Sequence, residues 1–192
     1  MQKLKERIRR EGKVLPGGII KIDGFLNHRV DTALMGEIAD EFAKYFDVSK
    51  ITMVLTAEAS GIALATVCAE RYGVPVVFAK KAKSDNIEGG LYQSDIFSYT
   101  YKKKVTLLVA QDWIGPDDRV LIVDDFMANG EAMRGLIDIV GKAGAELVGI
   151  GVAVEKGFQH GGDRLREAGY NLRSLAIIDD TEGGKITFRE EQ

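Results

Sequence analysis

An α/β architecture, with a mainly parallel central sheet flanked by helices, follows from three features of the 192-residue sequence. Apolar runs of strand character alternate with stretches whose apolar residues recur at three and four, the pattern of successive βαβ units. Two runs, Arg119 to Asp125 (RVLIVDD) and Leu147 to Val154, are apolar without alternation, as strands covered on both faces require. Many of the 22 glycines fall between such segments, where tight turns need them. The length fits one domain, and 45% apolar with 29% charged residues suits a buried core, which excludes a disordered or fibrous chain.

Each element has its own reason. Leu4 and Ile8, four apart among charges, predict a short amphipathic N-terminal helix, and the alternation of Gly18 to Phe25 predicts an extended arm after it. Asp31 stands as N-cap to a helix whose apolar stripe is Leu34, Ile38, Phe42, Ala43 and Phe46. Ile51 to Thr56 reads as a strand, Glu58 to Gly61 as a turn, Ile62 to Tyr72 as a helix stopped by Gly73, and Val74 to Lys80 as a strand. The polar stretch Lys81 to Ser94 predicts a mobile loop, and alternating Phe97, Tyr99 and Tyr101 a half-buried strand whose aromatics pack. Val105 to Ala110 is another strand, Gly115 to Asp118 a turn, and Arg119 to Asp125 a mid-sheet strand. Met133, Leu136, Ile137 and Val140 mark a helix ending near Gly144, and Leu147 to Val154 completes a second βαβ unit. Asp163 to Ala168 predicts a short helix, and Leu172 to Ile178 with Lys185 to Phe188 a terminal hairpin.

Several function classes are excluded at this level. With 26 basic and 29 acidic residues the net charge is −3, without a block of one sign, so no nucleic-acid partner is expected. No apolar run approaches the roughly 20 residues a membrane span needs, and charges interrupt MQKLKERIRREGK where a secretory signal would be apolar, so a cytoplasmic protein with no membrane partner is expected. The single Cys68 suits a reducing compartment and a core position. His28 and His160 have neither metal-ligand nor triad spacing.

Open parallel sheets bind ligands beyond the carboxyl ends of their strands, which points to the turns after Thr56, Lys80, Asp125 and Val154. VLIVDDFMANGEA, Val120 to Ala132, places Asp124 and Asp125 at the rim of a buried strand, before a small-residue turn that opens a helix. The backbone N–H groups of Ala128, Asn129, Gly130, Glu131 and Ala132, with the helix dipole, suit a phosphate dianion. Two neighbouring carboxylates suit the adjacent hydroxyls of a ribose diol, and the pair of features describes a ribose 5-phosphate. Paired acids also end strands in α/β proteins without such a role. The Walker B strand of an ATPase is set aside, because Gly135 to Lys142 has the wrong spacing for a phosphate loop and lies inside a helix.

This segment resembles the phosphoribosyl-pyrophosphate signature of type I phosphoribosyltransferases. Its ANGEA form, with GFLNH at Gly24 to His28 and EKGFQ at Glu155 to Gln159, is similar to the bacterial xanthine branch of that family over essentially the whole chain, although Asn129 stands where the wider family usually has threonine. The resemblance implies one domain over 1–192, with a core of about 31–154, a small hood from about 1–30 and 155–192, and a mobile lid after Lys81. It implies that Ala128 to Ala132 bind the 5-phosphate, that Asp124 and Asp125 are catalytic and hold the ribose hydroxyls, and that Ile20, Asn27 and Lys156 contact the base. Glu58 to Gly61 stands where the family has its pyrophosphate loop, with Ser60 and backbone N–H groups suited to that group and Lys80 and Lys81 within reach. Plainer roles stay open: a solvated Lys156, a core Ile20, a turn-forming Asn27 and a helix-starting Ser60, while Lys102 to Lys104 read as a solvated strand end.

The implied reaction moves 5-phosphoribosyl from 5-phosphoribosyl 1-pyrophosphate to xanthine, giving xanthosine 5′-phosphate and pyrophosphate. Mg²⁺ is expected on the donor, not in a dedicated protein site, and no covalent nucleophile is required. A homodimer is expected from the resemblance, and because the N-terminal helix, the arm and the long loop fit poorly on one compact sheet. Two alternatives stand beside this reading. One is a transferase for guanine, hypoxanthine or adenine; the other is a non-enzymatic sensor of the donor, which needs a DNA-binding domain larger than the residues before Gly18.

Overall fold

The structure, a computed structural model, describes residues 1–81, 89–98 and 103–190. In chain order its elements are α1 (Gln2–Glu11), β1 (Lys13–Leu15), β2 (Ile19–Lys21), α2 (Thr32–Phe42), β3 (Met53–Ala57), α3 (Gly61–Tyr72), β4 (Val76–Ala79), β5 (Leu91–Ser98), β6 (Lys103–Ala110), β7 (Arg119–Met127), α4 (Glu131–Ala143), β8 (Glu146–Lys156), α5 (Gly161–Glu167), β9 (Leu172–Asp180) and β10 (Thr187–Phe188). The main sheet runs β10-β9-β8-β7-β3-β4. Its five strands from β9 to β4 are parallel and only β10 is antiparallel. The mainly parallel α/β fold expected from the sequence is therefore present, and β7 lies mid-sheet between β8 and β3.

Strand alternation sorts the core into two layers. Leu121 and Val123 of β7 face the cluster built with Leu34, Ile38, Leu64 and Cys68 from α2 and α3. Val120 and Ile122 face the opposite cluster with Met133, Leu136 and Val140 of α4. Both faces being covered explains the unbroken apolar run, and each such side chain contributes roughly 1.5–3 kcal/mol by leaving water. Asp31 caps α2 by accepting the Leu34 N–H at 3.1 Å, and Gly73 ends α3 at a φ of 71°. Burial pushes the Cys68 thiol up to about 12, as befits a core cysteine.

Three local expectations change. The extended arm is a hairpin instead: β1 pairs antiparallel with β2, because Gly17 and Gly18, at φ of 82° and 70°, reverse the chain. The stretch read as a loop to Ser94 is already strand from Leu91, since β5 and β6 pair over their full length as a separate two-stranded ribbon. Polar residues on its solvent face hide that strand from a hydrophobic pattern. Helix α2 stops at Phe42, and Phe46 is buried from the turns that follow. Residues 82–88, Tyr99, Tyr101 and Lys102 lie outside the described residues.

Candidate active site

A cleft of about 360 Å³ opens at the carboxyl ends of β3 and β7, bounded by Ile20 and Asn27 on one side and by the turn from Ala128 to Ala132 on the other. Of the strand ends singled out in the sequence, those after Thr56, Lys80 and Asp125 meet here, through Glu58 and Ser60, Lys81, and the turn into α4.

The two aspartates sit deeper than a rim. Strand β7 continues to Met127, so Asp124 and Asp125 lie within the ladder, 7% and 1% exposed. Asp124 lines the cleft and accepts the Asp125 N–H at 3.0 Å. Burial, with the Asp125 carboxylate beside it, holds the Asp124 carboxyl well above the ordinary carboxylate range. Asp125 accepts from the Asn27 amide at 2.9 Å through one oxygen, while its other oxygen is buried without a partner. The Thr56 hydroxyl at the end of β3 is also buried and unpartnered. A site with acceptors left short of donors gains most from a ligand that brings hydroxyl groups.

The turn from Ala128 to Ala132 follows from Gly130, whose φ of 81° at the N-cap of α4 suits glycine. The first N–H groups of α4 have no intrahelical acceptor and carry the positive end of the helix dipole. Behind the turn, Arg164 of α5 donates to the Asn129 carbonyl at 3.1 Å, and a methyl on Gly161 would overlap the Ala128 to Gly130 backbone. A methyl on Gly61 would likewise overlap Thr56 and Asp124, so the start of α3 approaches the acid pair as only glycine permits.

The Lys156 ammonium lies 5.6 Å from the Phe126 ring centre and 5.8 Å from that of Phe158, and donates to the Gly18 carbonyl at 3.2 Å. Burial lowers its pKa. It stands beside the cleft through Phe126, which lines it, and is half-buried instead of freely solvated. Ile20 lines the cleft while only 8% exposed, so it is both core and wall. Ser60 is exposed at the cleft, at the N-cap of α3, without a side-chain capping bond. Lys81 lines the cleft but Lys80 does not: it lines a recess with Phe78 and Trp113, because successive side chains leave a strand on opposite sides. Phe97, expected to pack, is 40% exposed and lines the cleft.

Sequence reasoning passed over Gly161 and the pairing beneath Lys156. There Glu155, fully buried, accepts from Arg166 at 2.6 Å and 3.2 Å and from Ser174 at 2.5 Å. Arg189 in turn joins Asp163 at 2.6 Å and Asp179 at 2.9 Å, fastening α5 to β9. A glycine opening a helix was a visible signal for Gly161. The ion pairs join residues distant in sequence and had none.

Residues 31–184 match the phosphoribosyl transferase domain. The chain is 50% identical to a xanthine phosphoribosyltransferase of Lachnoclostridium phytofermentans over 100% of both chains. It is 48% identical to that of Shouchella clausii, over 100% of this chain and 96% of the other. Among solved structures, the Giardia lamblia APRTase complexed with 9-deazaadenine superposes with a TM-score of 0.76 at 24% identity, covering 91% of this chain and 96% of its own, a likeness of fold.

Proposed function

The chain belongs to the phosphoribosyl transferase family, and from that premise we propose that it moves the 5-phosphoribosyl group of 5-phosphoribosyl 1-pyrophosphate onto a ring nitrogen of xanthine. The products are xanthosine 5′-phosphate and pyrophosphate. The observation that carries this reading is the Asn27–Asp125 hydrogen bond, which ties the Ile20–Asn27 wall to the acid pair just before the Ala128–Ala132 loop in the chain. Base, ribose and 5-phosphate would then lie along a single cleft. The full-length likeness to two xanthine phosphoribosyltransferases supports the choice of base.

In this reading the backbone of Ala128 to Ala132 anchors the 5-phosphate, and Asp124 and Asp125 accept from the ribose hydroxyls. As the bond from C1′ to pyrophosphate breaks, positive charge grows on the ribosyl carbon, and carboxylates already in place stabilise it without reorganising. Ser60, Lys81 and the start of α3 would receive the pyrophosphate. Xanthine loses a proton more readily than hypoxanthine and carries a second carbonyl, so the cationic Lys156 and the Asn27 amide favour it. Mg²⁺ would be borne on the donor, and the Glu58 carboxylate, which lines the cleft with Ser60 and Lys81, is a hard oxygen ligand suited to it. That ion, when bound, offsets charge on the leaving group.

The same reading takes residues 1–30 and 155–192 as a hood over a core of 31–154, and the working unit as a cytoplasmic homodimer. Among the described residues no helix is long and apolar enough to cross a membrane. Product formation from xanthine, guanine, hypoxanthine and adenine with the same donor tests the proposal. The expected kcat/KM for xanthine exceeds that for each other base by about tenfold or more. Faster use of another base overturns the choice of xanthine; no product with any base favours a donor-sensing protein.

A further inference from the structure

The turn from Ala128 to Ala132 is a thin wall between two cavities. Asn129, Gly130 and Glu131 line the cleft on one side and, on the other, a groove shared with Arg134, Gly161 and Arg164. From the groove side Arg164 donates to the Asn129 carbonyl at 3.1 Å, and Gly161 packs against the same turn, where a Cβ would meet the Ala128 carbonyl oxygen first and then the Asn129 carbon and the Gly130 nitrogen. In a trans peptide the C=O and N–H bonds point in opposite directions. Holding the Asn129 oxygen toward Arg164 therefore turns the Gly130 N–H away from the groove, and that N–H finds no acceptor among the described residues.

We propose that Arg164 is a positioning residue for donor binding: it locks the Asn129–Gly130 peptide so that the Gly130 N–H faces the 5-phosphate. Glycine at 130 makes the lock necessary as well as possible, since a residue free to change φ lets the adjoining peptide rotate. Arg164 can serve as a brace because its helix is itself held: Asp163 is paired with Arg189, and Arg166 with the buried Glu155. The same segment continues β8 beyond Lys156, so one support carries both the base side and the phosphate side of the cleft. Arg164 is exposed and touches no substrate in this scheme, acting through the main chain.

This inference rests on reading Ala128 to Ala132 as the phosphate loop, and the test separates the two. Ribose 5-phosphate is titrated into wild type, Arg164→Ala, Arg164→Lys and Gly130→Val, with thermal midpoints and donor kinetics measured on the same proteins. Arg164→Ala is expected to weaken ribose 5-phosphate and raise the donor KM about three- to tenfold, the size of one lost hydrogen bond of ordinary strength, with kcat within about twofold and an unchanged midpoint. Arg164→Lys, which keeps a donor, should recover part of the loss, and the deficit of Arg164→Ala should persist at high salt. Normal binding by Arg164→Ala beside impaired Gly130→Val overturns the brace. So does a deficit that salt abolishes, which marks simple charge attraction. Normal binding by Gly130→Val overturns the phosphate loop itself.

Discussion

Asp124 carries a conflict between stability and function. Taken from water beside Asp125, its carboxyl holds its proton more tightly in the folded chain than the unfolded chain's ordinary 3.8. A folded pKa raised in this way contributes stability in full below about 3.8, and that contribution is lost as pH climbs through the raised value. Ionising Asp124 is thus a cost that a ligand's hydroxyls would offset. Asp124→Asn removes the charge and keeps an oxygen to accept the Asp125 N–H. We expect its thermal midpoint to exceed wild type by about 2–4 °C near pH 8, a gain of roughly 1 kcal/mol in a chain this size, with the gap closing toward about pH 4. Turnover should fall on the order of a hundredfold, as when one preorganised electrostatic partner is removed. A midpoint gap independent of pH would show that Asp124 ionisation does not set it.

At the scale of the element, the link from β7 into α4 makes the proposed phosphate loop a backbone device. Gly130 occupies the left-handed region at a φ of 81°, which costs other residues about 1–2 kcal/mol and is worst for a β-branched one. Asn129 contributes chiefly its carbonyl, already held by Arg164. Gly130→Val should therefore raise the donor KM by about tenfold or more, while Asn129→Ser stays within about threefold. Steady-state kinetics with varied donor compare the two, and equal effects would transfer recognition to the side chains. The β8-to-α5 link behaves differently, since its geometry is kept by ion pairs. Glu155 accepts from Arg166 and Ser174, and it sits where a methyl on Gly162 would collide with it.

For the whole molecule, the sheet leaves β4 as an edge strand joined on its outer side to the ribbon through the Lys80–Leu108 bridge. Phe78 and Trp113, the latter 67% exposed, flank the recess beside it. Apolar surface of this kind at a sheet edge supports the proposed homodimer, because edges and exposed aromatics are sites of association. Sedimentation at working concentration should give a species of about twice 21.0 kDa. A single species of 21.0 kDa across the concentration range would remove the dimer.

The order of strands and helices was readable because it rests on periodicity: a run buried on both faces, such as Val120 to Val123, is apolar whatever its neighbours are. The Asp124-Asp125 pair and the Gly130 turn were readable for a related reason, since their chemistry is contained in one contiguous segment. What lay beyond the sequence was set by contacts between distant residues. The pairing of β5 with β6 made a strand of a polar stretch, and the pairing of β1 with β2 made a hairpin of an arm. The continuation of β7 to Met127 buried two acids expected at a rim. Strand direction sent Lys80 away from the cleft and Lys81 into it. Local pattern determined which elements form, because backbone and burial preferences act over a few residues. Only the packed structure decided which side chains meet, because the Asn27–Asp125, Arg164–Asn129 and Arg166–Glu155 bonds arise when separate elements close on one another.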